Sequence, residues 1–549
     1  MKFIIKLLNQ VMAAISQLIQ LIKDFSISHL LDYLFTHFPK FWKFISRVPF
    51  LGAWLNRFII NSIVNSAPYR PHSYSMWSTN PDKVSDYTSW DSLTNRRFSG
   101  RYLPPASDAF MEDLPDIDEA TELFRRKHET KGERTSVLFM FFAQWFTDSF
   151  LRTDPNDFRK NTSNHEIDLC QIYGLKPSTA NILRSHEGGK MKSQFINDEE
   201  YPPYLYDENL EVKEEFADLP YVPWLDSILS KRGFPDLDER KKYIFAVGLE
   251  RGNSTVGYST LNTIFIREHN RIAQLLSTAY PTWNDERLFQ TTRNILTVIL
   301  LKIVVEDYVN HITPLYFPLS VEIGFAEKQP WYRTNWITTE FNLLYRWHSL
   351  IPDKISIDET AYGAAGYLLN NKPLIDHSMG SLVTDFTGQA ATKVGLFNCP
   401  EFLLQESMNA EKASMSLARR SKLASFNDYR TCFGLDRMSS YAELTSDKET
   451  QDKLHKMYGH IDNLEFLVGI FAEEGGNRTL FGDLITVMVG VDAFSQALTN
   501  PLLAKDVFNV ETFSTVGMEI IGKTNTLSQV VLRNTKDPHN VDASFDFTG

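Results

Sequence analysis

The sequence predicts a mostly α-helical protein, with an amphipathic N-terminal region, residues 1–65, ahead of one large domain, residues 66–549. Three observations lead there. Segments 135–155, 259–283 and 286–312 carry apolar residues at helical period and are largely free of internal Gly and Pro. Strand signals are few. The first 65 residues differ from the rest, being rich in apolar and aromatic residues that Lys, Arg, Asn and Gln interrupt throughout. Hydrophobic residues at 43% and charged residues at 23% fit a folded globular chain. A formal net charge of -12 without long basic runs argues against nucleic acid as a partner, because phosphate contacts need clustered Lys and Arg.

Along the chain, residues 1–25 have helical spacing, but Lys6, Asn9, Gln10, Gln17, Gln20 and Lys23 interrupt them. A spanning helix needs roughly 20 predominantly apolar residues, and a signal peptide needs an unbroken apolar centre. Residues 29–64 combine Phe, Trp, Leu and Ile with Lys40, Lys43, Arg47 and Arg57, and are divided by Pro39 and Pro49. Short helices of this kind suit a bilayer interface, with aromatics in the acyl boundary and basic groups near lipid phosphates. A helical hairpin packed on the large domain is the alternative. The expectation is a peripheral, monotopic membrane association. Residues 66–81 read as a linker or extended arm, since their prolines and serines oppose helix. Residues 199–206 and 214–242 are polar and Pro-containing, and are expected at the surface.

Three cysteines, Cys170, Cys399 and Cys432, are sparse and form no CxxC pair, which argues against a zinc site and a disulfide framework. They favour a reducing compartment such as the cytoplasm. The histidines are scattered, so if the chain holds a metal, a single histidine on haem iron fits better than a histidine cluster. Two constellations stand out. Gln144 and Asp148 are i and i+4 on an aromatic-rich helix over 136–151, hence on one face. They form either a surface stripe or a polar pair facing a cofactor. In FNLLYRWHSLIP (341–352), Tyr345 and His348 are i and i+3, which on one helix also share a face. Locally they are either core residues or a redox tyrosine beside a metal ligand.

Their combination and order decide more than either alone. FFAQWFTDSF (141–150), DLCQIYG (168–174), EEYPP (199–203), FIREHNRIAQLL (265–276), PTWNDERLFQTTR (281–293), KIVVEDYV (302–309), EFNLLYRWHSLIPD (340–353), FNDYRTCFG (426–434) and YGHIDNLEFLVG (458–469) resemble the animal haem peroxidase superfamily. They are most similar to its cyclooxygenase and fatty-acid dioxygenase branch, with SDYTSWDSLTN (85–95) as an upstream match. The resemblance spans about residues 70–535, and the aromatic N-terminal helices sit where cyclooxygenases carry membrane-binding helices. It implies a haem-dependent, mostly helical animal-peroxidase-like fold. His348 falls at the position of the proximal haem ligand, and Tyr345 at that of the catalytic tyrosine. In the family that tyrosine is oxidised to a radical and takes a hydrogen atom from a fatty acid, after which dioxygen traps the carbon radical. Tyr308 matches a tyrosine that hydrogen-bonds the catalytic one, and Gln144 matches the distal glutamine.

The departures matter as much. Asp148 stands where the family has its distal histidine; a carboxylate can accept and return a proton, with shorter reach. Arg251 falls near a distal arginine of mammalian peroxidases, where it could stabilise a departing oxygen. Ile63 stands where cyclooxygenases place the arginine that pairs with the fatty-acid carboxylate. Its partner tyrosine maps to Tyr316 or, with a one-residue shift, Leu315. Ala493 stands at the channel serine, with Ser495 two residues away. The resemblance therefore implies addition of O2 to an unsaturated fatty acid through a tyrosyl radical, with associated peroxidase activity, and not prostaglandin synthesis. The alternatives are a haem peroxidase that reduces peroxides without oxygenating lipid, and a silent haem- or lipid-binding relative. A homodimer is compatible with the resemblance.

Overall fold

The computed structural model describes residues 35–66, 77, 84, 87–231, 233–406, 408–476 and 479–547. The predicted helical segment 1–25 and most of the arm 66–81 lie outside the described residues. Helices dominate, and the strands among the described residues form five two-stranded sheets.

Helices α1 (Pro39–Ile45) and α2 (Leu51–Val64) follow the two prolines. Pro39 opens α1 at its first turn, where a missing N–H costs nothing. One side of this pair is buried. Trp42 stacks on Phe35 at 4.3 Å, and Asn56, Ile59, Ile60 and Val64 face inward. Asn56 Nδ2 donates to the Ser320 carbonyl at 2.9 Å, and Arg57 pairs with Glu322 at 2.8 Å. The other side leaves Phe38, Phe41, Phe44, Phe50, Trp54 and Phe58 exposed.

Helix α3 (Val137–Thr147) is apolar nearly all round and is accordingly central, with Ser136 capping it by accepting the Phe139 N–H. Against it runs α4 (Val256–Ala279), capped by Thr255. Gly257 permits the contact, because a Cβ there would lie 2.2 Å from the Phe141 ring. Helix α5 (Asp285–Ile303) continues into a π-helical turn, Val304–Val309, that carries Tyr308. The run Asp285–Ile312 is long and apolar enough to cross a membrane, yet it is mostly buried within the fold and serves as a core helix. Helices α6 (Thr339–Leu344), α7 (Ala410–Arg420) and α8 (Asp483–Ala497) complete the surround of the site, α6 packing on both of the others.

The expectation of polar surface over 199–206 and 214–242 holds only in part: most of 214–242 is exposed or half-buried, whereas 199–206 packs inward. Glu199–Tyr201 pairs with Gln194–Ile196 in a hairpin, and Val222–Lys231 and Leu237–Lys241 are helical. Tyr201, Tyr206, Phe216, Leu219, Leu225 and Leu229 are buried. Apolar residues three to six apart set one face inward, while the charged residues between them made the stretch look polar.

Candidate active site

A cavity of about 760 Å³ opens among α3, α4, α6 and α7. Gln144 and Asp148 from α3, Arg251 and Thr255 from the entry to α4, Tyr345, Arg346, Trp347 and His348 from the end of α6, and Leu417 from α7 line it. Residues separated by some two hundred positions thus converge, as the sequence reading expects of Gln144, Asp148, Arg251, Tyr345 and His348. The described residues include no cluster of three or more His, Cys, Asp or Glu suited to a metal.

The link between Tyr345 and His348 differs from the expected helical turn. Helix α6 ends at Leu344, Tyr345 is its C-cap with φ -95 and ψ 21, and His348 begins a separate 3₁₀ turn, His348–Leu350. Within the break Trp347 turns back and stacks on Tyr345, ring centroids 4.6 Å apart, and also packs on Phe481 at 4.4 Å. Both residues still wall the same cavity. Burial, and then the Asp492 carboxylate, push the Tyr345 phenol well above its ordinary range, so it stays protonated.

His348 Nδ1 lies 2.9 Å from Glu411 Oε1, which leaves Nε2 without a hydrogen bond among the described residues. A free imidazole nitrogen on the wall of a cavity of this size, with apolar neighbours such as Met140, Phe141, Leu350 and Leu417, fits a haem with His348 as axial ligand. Arg346 adds a guanidinium group suited to a carboxylate of such a cofactor. Burial, and then Arg251, push the Arg346 side chain down to about 10. Its Nη2 donates to Asn342 Oδ1 at 2.6 Å.

Asp148 is a buried part of the cavity wall. Its side chain is 8% exposed, Oδ2 is buried without a hydrogen bond, and Oδ1 is 3.4 Å from Arg251 Nη1. Burial raises its carboxyl above the ordinary aspartate range, and Arg251 and Arg152 offset only part of that. Gln144 is held by Ser254 and Thr255 at 3.4 and 3.5 Å.

The four residues expected at a substrate channel do not line this cavity. Tyr308 stacks on Phe139 at 4.9 Å, and its hydroxyl is buried without a hydrogen bond, so the expected bond to Tyr345 is not made. The two phenols are close enough that Tyr345 helps raise Tyr308. Ile63 packs against Gly490 of α8, and Ala493 lies one turn further along that helix. The neighbouring Asp492 accepts a hydrogen bond from Tyr102 at 2.6 Å and acts on Tyr345. Tyr316 is half-buried, its N–H bonded to the Phe35 carbonyl at 2.8 Å. Tyr345 therefore stands between the cavity and the α2–α8 side of the core. Sequence reasoning missed Glu411, 63 residues from His348, and Arg346, which is inside a quoted block but carries no spacing signal.

Residues 149–545 match the animal haem peroxidase family. The chain is 33% identical over 522 residues to prostaglandin G/H synthase 2 of Equus caballus, covering 92% of this chain and 80% of that protein. It is likewise 33% identical over 519 residues to prostaglandin G/H synthase 1 of Rattus norvegicus, with the same coverage. Among solved structures, Oryza sativa fatty acid alpha-dioxygenase superposes with a TM-score of 0.69 at 16% identity, over 96% of this chain and 98% of that one. Peroxidase A of Dictyostelium discoideum gives 0.63 at 17% identity, over 87% and 100%. The shared fold, the extent of the match and the level of identity together place this chain in the animal haem peroxidase family, as a haem-peroxidase-type oxidoreductase.

Proposed function

We propose that the protein is a haem-dependent fatty-acid dioxygenase that uses Tyr345 as a radical relay and has an associated peroxidase activity. One observation carries the reading: Tyr345 and His348 wall one cavity, while Tyr345 also adjoins the aromatic and α8 side where the channel residues lie. His348 Nε2 would hold the haem iron, and the bound group would supply one-electron oxidising chemistry in the presence of peroxide. Asp148 Oδ1 takes up the peroxide proton and returns it, and Arg251 steadies the negative charge that develops on the departing oxygen. Tyr345, having lost a hydrogen atom from its phenol, takes one from a bis-allylic carbon and regains its O–H. Dioxygen adds to the delocalised carbon radical, and the Tyr345 O–H gives its hydrogen atom to the resulting peroxyl group, which yields a fatty-acid hydroperoxide and regenerates the tyrosyl radical. Burial of the phenol keeps water from the radical. Tyr308, Tyr316, Ala493 and Ile63 shape the channel.

The test is oxygen uptake by haem-loaded protein given linoleate or arachidonate with a trace of hydroperoxide. Tyr345→Phe is expected to abolish uptake and leave the haem spectrum intact; uptake that survives the substitution rules out the relay. The Asp148–Arg251 pair on the cavity wall also suits a peroxidase that oxygenates no lipid. Peroxide consumption without oxygen uptake in the unmodified protein would identify that activity instead.

The outward face of α1 and α2, with its exposed aromatics and the exposed Lys40, Lys43 and Arg47, supports a monotopic seat on an anionic lipid surface. A fatty acid would then reach the core from the side on which Ile63 packs.

A further inference from the structure

The candidate haem ligand is held from behind by a residue that no motif pointed to. Glu411 lies in the first turn of α7, with a side chain 2% exposed and Oε1 2.9 Å from His348 Nδ1. Its other oxygen, Oε2, is buried and accepts no hydrogen bond. The Cys399 thiol borders the same carboxylate; burial first, and then Glu411, push that thiol up. A carboxylate withdrawn this far from water is costly unless a charge-assisted hydrogen bond compensates it. Here the bond goes to the ring of His348. The helix N-terminus adds a favourable field, and the Asn409 cap, which accepts the Lys412 N–H at 2.8 Å, fixes the start of that helix.

On the reading that His348 holds haem iron through Nε2, we propose that Glu411 is a positioning residue that sets the strength of that ligand. By accepting the Nδ1 hydrogen it fixes the tautomer and the ring plane, and gives the imidazole partial anionic character. A carboxylate behind a ligating histidine makes the ligand more basic and orients it, and a more basic ligand favours the oxidised metal. The arrangement also answers a deficit on the opposite side. Where relatives are expected to carry a distal histidine, this chain has Asp148, a carboxylate of shorter reach that is buried in the cavity wall beside Arg251. Electron release from the proximal side then supports oxidation chemistry that a weaker distal acid–base group serves less well.

The experiment compares full-length haem-loaded wild type with Glu411→Gln, Glu411→Asp and His348→Ala. Gln keeps the size of the side chain and an oxygen that can face Nδ1, but removes the charge. In the reduced protein, the iron–imidazole stretching band of the resonance Raman spectrum is expected to move to lower frequency in Glu411→Gln. The ferric/ferrous midpoint potential is expected to rise, and Glu411→Asp to stay nearer wild type in both. A merely structural role would alter unfolding without moving either readout. A band and potential unchanged in Glu411→Gln overturn the inference while leaving the dioxygenase reading intact, provided that His348→Ala abolishes the band. A band that persists in His348→Ala removes the axial assignment and the inference together.

Discussion

At the scale of single residues, the site is defined by how buried polar groups are compensated. His348 has Glu411 behind it and Gln144 has two hydroxyls, whereas the contact of Asp148 with a half-exposed arginine is long, at 3.4 Å. Asp148 is therefore the weakest link in the proposed peroxide chemistry. Its raised carboxyl pKa fixes the sign of a pH effect. The base form needed to accept a proton is depleted as the pH falls through a value above the ordinary aspartate pKa of about 3.9. Peroxide consumption should therefore decline on acidification earlier than an exposed aspartate would dictate. Asp148→Asn, which keeps the shape but cannot accept the proton, should lower it by roughly 10²-fold, the low end for general acid–base catalysis. Stopped-flow rates of peroxide decay across pH check both. Full activity in Asp148→Asn would remove the residue from the chemistry.

At the scale of elements, the contact between α3 and α4 sets where Gln144 and Thr255 meet, and Gly257 sets how close the two helices come. Ala is a better helix former than Gly by about 1 kcal/mol, so propensity alone would make Gly257→Ala stabilising. The added Cβ would sit 2.2 Å from the Phe141 ring, which itself lines the cavity and packs on Phe386 at 4.9 Å. Overpacking a filled core costs about 1–3 kcal/mol, more than the propensity gain, so overpacking wins. Gly257→Ala should lower stability by about 1–2 kcal/mol in denaturant unfolding and weaken haem retention. Unchanged stability would mean that the helices can part without cost. The π-helical turn that carries Tyr308 belongs to this scale as well. The KIVVEDYV block identified the tyrosine, but a run of apolar residues at helical period does not announce one extra residue in a turn.

At the scale of the whole molecule, burial is unequally shared. The large domain buries most of its aromatics and scatters its exposed ones, such as Trp90 and Phe195, whereas α1 and α2 leave six close together in the open alongside four exposed basic residues. Phe50 and Trp54 are 91% and 59% exposed, so neither supports the fold. Burying such a side chain is worth roughly 1.5–3 kcal/mol. The double substitution Phe50→Ser with Trp54→Ser should therefore cut co-sedimentation with anionic phospholipid vesicles by at least about 10-fold, with unchanged thermal unfolding. Equal sedimentation of both proteins would place the lipid contact elsewhere or exclude it.

Much of this protein is written locally. Helical periodicity over 259–283 and 286–312 returned α4 and α5, the prolines at 39 and 49 marked α1 and α2, and ordered motifs singled out His348, Tyr345, Gln144 and Asp148 for one site. Such features depend on neighbours a few positions away, or on residue identity, and both are present in the chain itself. Other features were decided only by long-range packing. The interruption of α6 at Tyr345 follows from Trp347 stacking back between Tyr345 and Phe481. The burial of one apolar face of 214–242 follows from the body that it covers, and the missing Tyr308–Tyr345 bond from the aromatic wall around Phe139. Glu411 reaches His348 only because α7 packs against α6. A hydrogen bond across 63 residues leaves no periodicity and no motif behind; the partner of a buried polar group is chosen by the fold that buries it.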